Sequence, residues 1–376
     1  MRIAINTRLM IPGRLDGIGW FTYETVRRIA QEHPEHEFFL LFDRRPPAQY
    51  QFSPNTHLVH LHPQARLPIL WLIFFECSVA RKLRRLRADL FISTDGWIAL
   101  RSTIPTLTVI HDINFEHEDG YVRPSHQRYF RTFFPRYAQH ANRIATVSEF
   151  SKSDIATHYR LTPEKIDVVY DGAHANYHPL TNEEQQTVRQ EYTDGCRYFL
   201  FVGTISRRKN LAGVLSAFEW VRNHSIERTQ LVVVGARTWW PAEMEQLLQS
   251  LQYRDEVRFL GRCDSQRLAR LMASAEALVY PSFFEGFGIP IIEAFQSGVP
   301  VITSNCTSMP EIADNAALLV DPYNTDEIAT AMLTLLNNPT ERQRLINLGH
   351  KRAQAFSWDR TSRLLWESAL KILSRQ

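Results

Sequence analysis

A chain of 376 residues, 44% apolar and 22% charged, is longer than one hydrophobic core usually organises and too ordinary in composition to be disordered, collagen-like or mucin-like. Its 43 basic and 40 acidic residues leave a net charge of +3, which excludes a fold built around a polyanion such as duplex DNA, so no nucleic-acid partner is expected. The four cysteines, Cys77, Cys196, Cys263 and Cys306, are far apart and match neither a disulfide framework nor zinc-ligand spacing, which fits reduced thiols in a cytoplasm.

The opening MRIAINTRLM reads as a strand from its first residues and lacks the apolar h-region of a secretory signal, so translation is expected to begin at the fold itself. A helical pattern from Trp20 to about Ala30 follows, then the strand-like runs EFFLLF and HLVHL. The segment LPILWLIFFECSVARKLRRLRADL, 67–90, has an apolar run of about eight residues before Glu76, short of the ~20 that a membrane span requires. A core helix with a basic, solvated end is the favoured reading. Its basic cluster Arg81, Lys82, Arg84, Arg85 and Arg87 keeps open a peripheral contact with anionic lipid. DLFIS, PTLTVIHD, RIATVS, a helix from about Glu149, and IDVVYDG complete an alternation of strands and helices that specifies a parallel sheet covered on both faces.

Turn-rich residues near 173–183 mark a boundary, and a second series opens with YFLFVGTI, QLVVVGA, EVRFLG, ALVYPS and PVITSN. These continuous apolar runs suit strands buried on both faces. The predicted fold class is α/β, two tandem Rossmann-like doubly wound domains, 1–178 and 179–355, facing a central cleft. Ligands are then sought beyond the carboxyl ends of strands. A last amphipathic helix, about 356–376, carries Leu364, Leu365, Ala369 and Ile372 on one stripe.

Three strand-end loops carry chemistry. In FFEGFGIPIIEAF, ALVYPS is predicted to end at Ser282, and Pro290 opens a helix, with Glu285 on the loop and Glu293 in the first turn. A glycine-flanked helix start, Gly286, Phe287, Gly288 and Ile289, offers backbone N–H groups and a positive dipole end to a phosphate. Glu293 is then placed to accept from a ribose diol, and Glu285 to face whatever the phosphate carries. The combination implies a sugar nucleotide. The plainer alternative is a dipole-complementing Glu293 and a solvated Glu285. The second loop, FVGTISRRKNL, follows Gly203 with Arg207, Arg208 and Lys209, cations able to neutralise a departing diphosphate; alone it reads equally as a solvated basic turn. In the third, VIHDINF, His111 and Asp112 end a strand and are expected to face the cleft, with a structural histidine the even alternative. Gly17 and Gly19 precede the first helix without a full dinucleotide fingerprint.

The Glu285-to-Glu293 spacing in EGFGIPIIE, followed by GVPVITSN and PEIADNAALLVDP, together with VGTISRRKN and IHDINF, closely resembles the retaining glycosyltransferases of family 4, which have the GT-B fold. The resemblance covers nearly the whole chain, and its VGTI and RKN forms look most like mannosyl- and rhamnosyltransferases that build bacterial polysaccharides. It implies that Glu293 holds the donor ribose and that Glu285 and His111 stand at the sugar and reacting centre. Gly203, Arg208 and Lys209 are assigned to the diphosphate, Leu260 and Gly261 to backbone contacts with the base, and Gly19 and Asp112 to the acceptor or phosphate side. It also implies that the C-terminal helix returns to the first domain. Many members carry arginine directly after the first glycine; here that position is Thr204.

The implied reaction takes a hexose from a nucleotide-sugar donor, GDP-mannose as first guess, to a glycan or lipid-linked acceptor in the cytoplasm or at the inner membrane face. The leaving phosphate receives the acceptor proton. No Asp-x-Asp pair occurs, so metal independence is expected. The alternatives are a nucleotide-sugar epimerase or hydrolase on the same architecture, and a non-catalytic sugar-nucleotide-binding protein. The donor base, the sugar, the acceptor and the oligomeric state are left open.

Overall fold

The computed structural model describes residues 1–13, 15–118, 121–237 and 240–374. It divides into two compact units, Met1–Gly172 with Ser357–Gln376, and Ala173–Phe356. The division falls at the start of the turn-rich stretch, a few residues before the expected 178/179. Residues just past it are already tied into the second unit: Asn176 donates to the carbonyl of Ser265, and Tyr177 is buried there.

The first unit is a seven-stranded parallel sheet of β1 (Arg2–Asn6), β2 (Glu37–Phe42), β3 (Thr56–His60), β4 (Leu90–Ser93), β5 (Thr106–Val109), β6 (Arg143–Thr146) and β7 (Ile166–Val168). Their order is β3-β2-β1-β4-β5-β6-β7. The chain therefore builds outward from β1 in one direction and from β4 in the other. The crevice between the ends of these two neighbours is the switch point at which such sheets take ligands. The helix Trp358–Leu373 belongs to this unit, burying Leu365, Trp366, Ala369 and Ile372 beside the helix Gly17–Glu32. A Cβ on Gly172 would lie 2.4 Å from the backbone nitrogen of Trp358, so only glycine admits this approach.

The segment 67–90 differs from the single core helix expected. It runs as an α-helix Pro68–Ile73, a π-helical turn Phe74–Val79 and an α-helix Ala80–Leu86. Trp71, Phe74, Phe75, Val79 and Leu83 point into the core, while Leu67, Ile69 and Ile73 are 56%, 60% and 41% exposed. Only one face of the helix Pro68–Ile73 meets the core, so a run that is apolar all round has an outward-facing side. Among the described residues no helix is long and apolar enough to cross a membrane.

The second unit holds six parallel strands, β8 (Arg197–Val202), β9 (Thr229–Val234), β10 (Val257–Gly261), β11 (Ala277–Tyr280), β12 (Val301–Ser304) and β13 (Ala317–Val320), ordered β10-β9-β8-β11-β12-β13. This is the same switch-point pattern, now between β8 and β11. Residues Phe199–Phe201 and Thr229–Val233 are essentially inaccessible, as strands covered on both faces must be.

Candidate functional site

The loops that leave β8 and β11 are locked to one another. After Gly203 the chain makes a short 3₁₀ turn, Arg207–Lys209, and Asn210 enters a left-handed conformation (φ 57°) to cap the helix Leu211–His224. Asn210 accepts from Gly213 N and donates through Nδ2 to the carbonyls of Pro281 (3.1 Å) and Pro322 (2.7 Å). The backbone N–H of Phe283 reaches the carbonyl of Arg208 at 2.9 Å, and the Arg208 guanidinium returns to the carbonyl of Phe284. Ser308 Oγ, from the loop after β12, donates to the carbonyls of Glu285 (2.8 Å) and Phe287 (3.2 Å). The loops after β8 and β12 thus fix the segment 283–288 from outside.

Within that frame Glu285 is buried, not solvated: it is 7% exposed, with Arg208 Nη1 2.7 Å from one carboxylate oxygen and Lys209 Nζ 2.6 Å from the other. Burial by itself would push its carboxyl up, but the charges of Arg208 and Lys209 outweigh it and hold the group at about 2. Lys209 also lies over the ring of Tyr280, 4.5 Å from its centroid, and meets its hydroxyl. The two cations expected to hold a diphosphate are therefore both engaged by Glu285, and the triad keeps a net positive charge. An anion that binds here competes with that carboxylate for them.

β11 ends at Tyr280, two residues before the expected Ser282, and the helix is Ile289–Gln296. Glu293 consequently sits in the second turn, not the first, too far along to complement the dipole end. Gly288 precedes the helix at φ +103°, and a Cβ there would meet the Met309 side chain at 2.8 Å. Among the described residues no acceptor meets the backbone N–H of Gly288 or Ile289, as is usual for the first donors of a helix. Glu293 is 8% exposed; burial pushes its carboxyl up to about 7, and hydrogen bonding from Tyr177 pulls the other way. Leu260 and Gly261 close β10, where the Gly261 carbonyl accepts from Gly235 N at 2.8 Å, and Gly203 N is bonded to the carbonyl of Val234 at 2.9 Å.

The first-unit candidates form a separate group. β5 ends at Val109, so His111 lies in the loop beyond it. Its Nε2 is 2.9 Å from the carbonyl of Thr94; a carbonyl only accepts, so Nε2 carries the proton and Nδ1 remains an acceptor. Burial lowers its basicity, and the ring packs edge-on to Phe21 at 4.9 Å. Asp112 is spent locally, accepting from Asn114 at the start of a short helix. Gly17 and Gly19 lie inside the first helix, not before it. Gly19 N is 3.0 Å from Oδ1 of the cap Asp16, and a Cβ on Gly19 would lie 2.9 Å from the Leu9 carbonyl.

Four residues were missed in the sequence: Asn210, Ser308, Tyr280 and Tyr177. Asn210 closes the RRKN motif and carried a legible signal, because asparagine suits a left-handed cap. The other three reach the site from other strands or the linker. Among the described residues no group of three His, Cys, Asp or Glu side chains is placed to hold a metal ion.

With this geometry in hand, two family models match: glycosyltransferase family 4 over residues 15–176 and glycosyl transferases group 1 over 182–352. O-antigen chain mannosyltransferase B of Escherichia coli is 29% identical over 356 residues, 92% of this chain and 93% of that protein. The O-antigen chain mannosyltransferase RfbU of Salmonella typhimurium is 29% identical over 292 residues, 72% of this chain and 77% of its own. In fold, the chain matches a structure of Anabaena HepE in complex with UDP-glucose (TM-score 0.78, 17% identity, all of both chains). It also matches sucrose-phosphate synthase from Thermosynechococcus elongatus (TM-score 0.80, 19% identity, all of both chains). Paired switch-point sheets, matches running through both units and mannosyltransferase relatives agree: the chain is a GT-B glycosyltransferase and belongs to family 4.

Proposed function

We propose that this chain is a retaining hexosyltransferase that uses a nucleotide-sugar donor, GDP-mannose as the first choice, and a glycan or lipid-linked glycan acceptor. The observation that carries the reading is the buried triad of Glu285, Arg208 and Lys209 beside the start of the helix Ile289–Gln296. Two cations and the first N–H groups of the helix form a diphosphate cradle, already folded and holding a carboxylate as its stand-in anion. The O-antigen mannosyltransferase relatives support the sugar, and the UDP-glucose bound by HepE supports the donor class.

In this reading the diphosphate draws Arg208 and Lys209 to itself, and Glu285, still held through its backbone by Ser308, turns to the sugar hydroxyls. Glu293 takes the ribose diol. The bond from the anomeric carbon to the diphosphate oxygen breaks while the acceptor oxygen bonds that carbon on the same face. The acceptor proton passes to the departing phosphate oxygen, whose growing charge Arg208 and Lys209 stabilise. His111, neutral with Nδ1 as acceptor, serves the sugar. The reaction proceeds without a metal: full activity is expected in EDTA, and loss reversed only by manganese or magnesium would refute that.

The enzyme works at the inner face of the cytoplasmic membrane, where exposed Leu67, Ile69 and Ile73 enter the interface and Arg81, Arg84, Arg85 and Arg87 meet anionic headgroups. Co-sedimentation with anionic but not zwitterionic vesicles is expected; equal recovery from both would remove the contact.

The test of function is product analysis. GDP-mannose with a mannosylated acceptor should yield a longer glycan with the anomeric configuration of the donor, and donor alone should stay largely uncleaved. Rapid release of free mannose without acceptor would favour a hydrolase, and an altered sugar nucleotide an epimerase.

A further inference from the structure

The first unit contains a buried cation that the donor site does not use. Arg8 follows β1 and is 4% exposed, yet among the described residues its guanidinium makes one hydrogen bond, from Nε to Asp95 Oδ2 at 2.7 Å. Asp95 follows β4, and its other oxygen is filled by Asn6 Nδ2 at 2.7 Å and Ser93 Oγ at 3.2 Å. The Arg8 guanidinium lies over Trp97, 4.2 Å from the ring, with Phe75 at 5.7 Å. It is therefore clamped on one edge and one face. Neither Nη1 nor Nη2 has a hydrogen-bond partner among the described residues.

The Nη edge is thus the part of this otherwise buried side chain that solvent still reaches, and two parallel N–H groups on a fixed plane are the half of a fork that a phosphate or carboxylate completes. Place and surroundings choose between these two. Arg8 and Asp95 stand at the ends of neighbouring β1 and β4, the switch point of this sheet, in the unit that does not carry the loops proposed for the diphosphate. Phe75, against the guanidinium, is on the inner side of the segment whose outer side exposes Leu67, Ile69 and Ile73. From 66 to 87 that segment has six cations and one acid, Glu76, whose carboxylate is committed to the backbone N–H groups of Leu100 and Arg101. The packed neighbour Pro124–His140 has Arg128, Arg131 and Arg136 and no acid at all. A polyanionic group with an apolar tail matches this surface better than a carboxylated sugar.

From this we infer that the Nη edge of Arg8 is an oxyanion site for a phosphate group carried by the acceptor, with Asp95 and Trp97 as its positioning residues. The inference rests on the transferase reading above only for the word acceptor; the oxyanion site itself does not.

The test has two arms. In the first, arginine side-chain nitrogen resonances of the full chain are followed during titration with inorganic phosphate, with acetate in parallel. The Arg8 signals, identified by their absence in Arg8→Lys, should move with phosphate and much less with acetate. A response confined to other arginines overturns the site, and an equal response to acetate overturns the choice of phosphate. In the second arm, transfer is measured to one synthetic glycan bearing an alkyl phosphate at its reducing end and to the same glycan bearing an alkyl ether. The phosphate should lower the acceptor KM ~10-fold, the scale of one charge-assisted pair. Arg8→Lys, which keeps the charge opposite Asp95, should erase that difference while leaving donor KM unchanged. The neutral pair Arg8→Gln with Asp95→Asn should do the same if the lysine variant folds poorly. Equal KM for both acceptors in the wild type overturns the assignment to the acceptor. No transfer to either, with Arg8 still answering phosphate, overturns the transferase reading and leaves the oxyanion site standing.

Discussion

Glu285 and Glu293 sit on one short segment and are buried almost equally, at 7% and 8% exposed, yet one is held at about 2 and the other is pushed up to about 7. Burial opposes charge at both. The loop residue has Arg208 and Lys209 against its oxygens, whereas the helix residue, among the described residues, has only the hydroxyl of Tyr177. Partners, not depth, decide which carboxylate is ionised. On the proposed function, the first is a resident anion that the donor diphosphate displaces and the second a carboxyl that the ribose diol finishes ionising.

The largest break in that comparison is Lys209→Ala. It removes a cation from the diphosphate and a partner from a buried carboxylate, so kcat/KM for donor should fall ~100-fold or more, as when one preorganised electrostatic contact is lost. Steady-state kinetics, with circular dichroism to confirm folding, reads it; a change under ~3-fold, less than half of one such contact, would take Lys209 out of the site.

Glu285→Gln sharpens the same comparison in the opposite direction. With the competing charge gone, pyrophosphate and GDP should bind ~10-fold tighter while turnover drops, because a charge-assisted competitor no longer holds Arg208 and Lys209. Calorimetry with each anion checks it. Unchanged affinity would mean that the carboxylate does not compete.

The sequence showed the double α/β architecture, the strand-end loops and the cations, because strand runs, glycines and RRK are local patterns. It did not show that Arg208 and Lys209 already face Glu285. That contact closes across β8 and β11, more than seventy residues apart in the chain, and only the interlocking of Phe283, Asn210 and Ser308 brings it about. The helix start was misplaced relative to Glu293 because Gly288, in a left-handed conformation, lets Ile289 begin the helix one residue before Pro290. The 67–90 segment is core with a basic exposed end as expected, through Trp71, Phe74, Phe75, Val79 and Leu83; what its apolar run did not mark is that Leu67, Ile69 and Ile73 face outward.

The two carboxyls also predict opposite responses to pH. Glu285 is depressed below its ordinary 4.5, so the unfolded chain binds its proton more readily, and the stability it supplies is present above 4.5 and lost as pH falls toward 2. Glu293 is raised, so the folded chain binds the proton more readily, and stability declines as pH rises from 4.5 through about 7. Chemical unfolding of Glu293→Gln should therefore show a shallower loss of stability across pH 5 to 8 than the wild type, with the acid limb unchanged.

The smallest expected effect at neutral pH is functional and belongs to the same group. A protonated Glu293 has lost one of the acceptor oxygens that a ribose diol needs, so donor KM should rise as pH drops below about 7, approaching ~10-fold per pH unit at the acid end while kcat moves less. Tyr177→Phe removes the one hydrogen bond that opposes burial, so its KM profile should shift to higher pH by a fraction of a unit with no change in slope. Glu293→Gln should flatten the profile altogether. A wild-type KM that is level from pH 6 to 8 would mean that Glu293 does not hold the ribose, even if every variant of Glu285 behaves as argued.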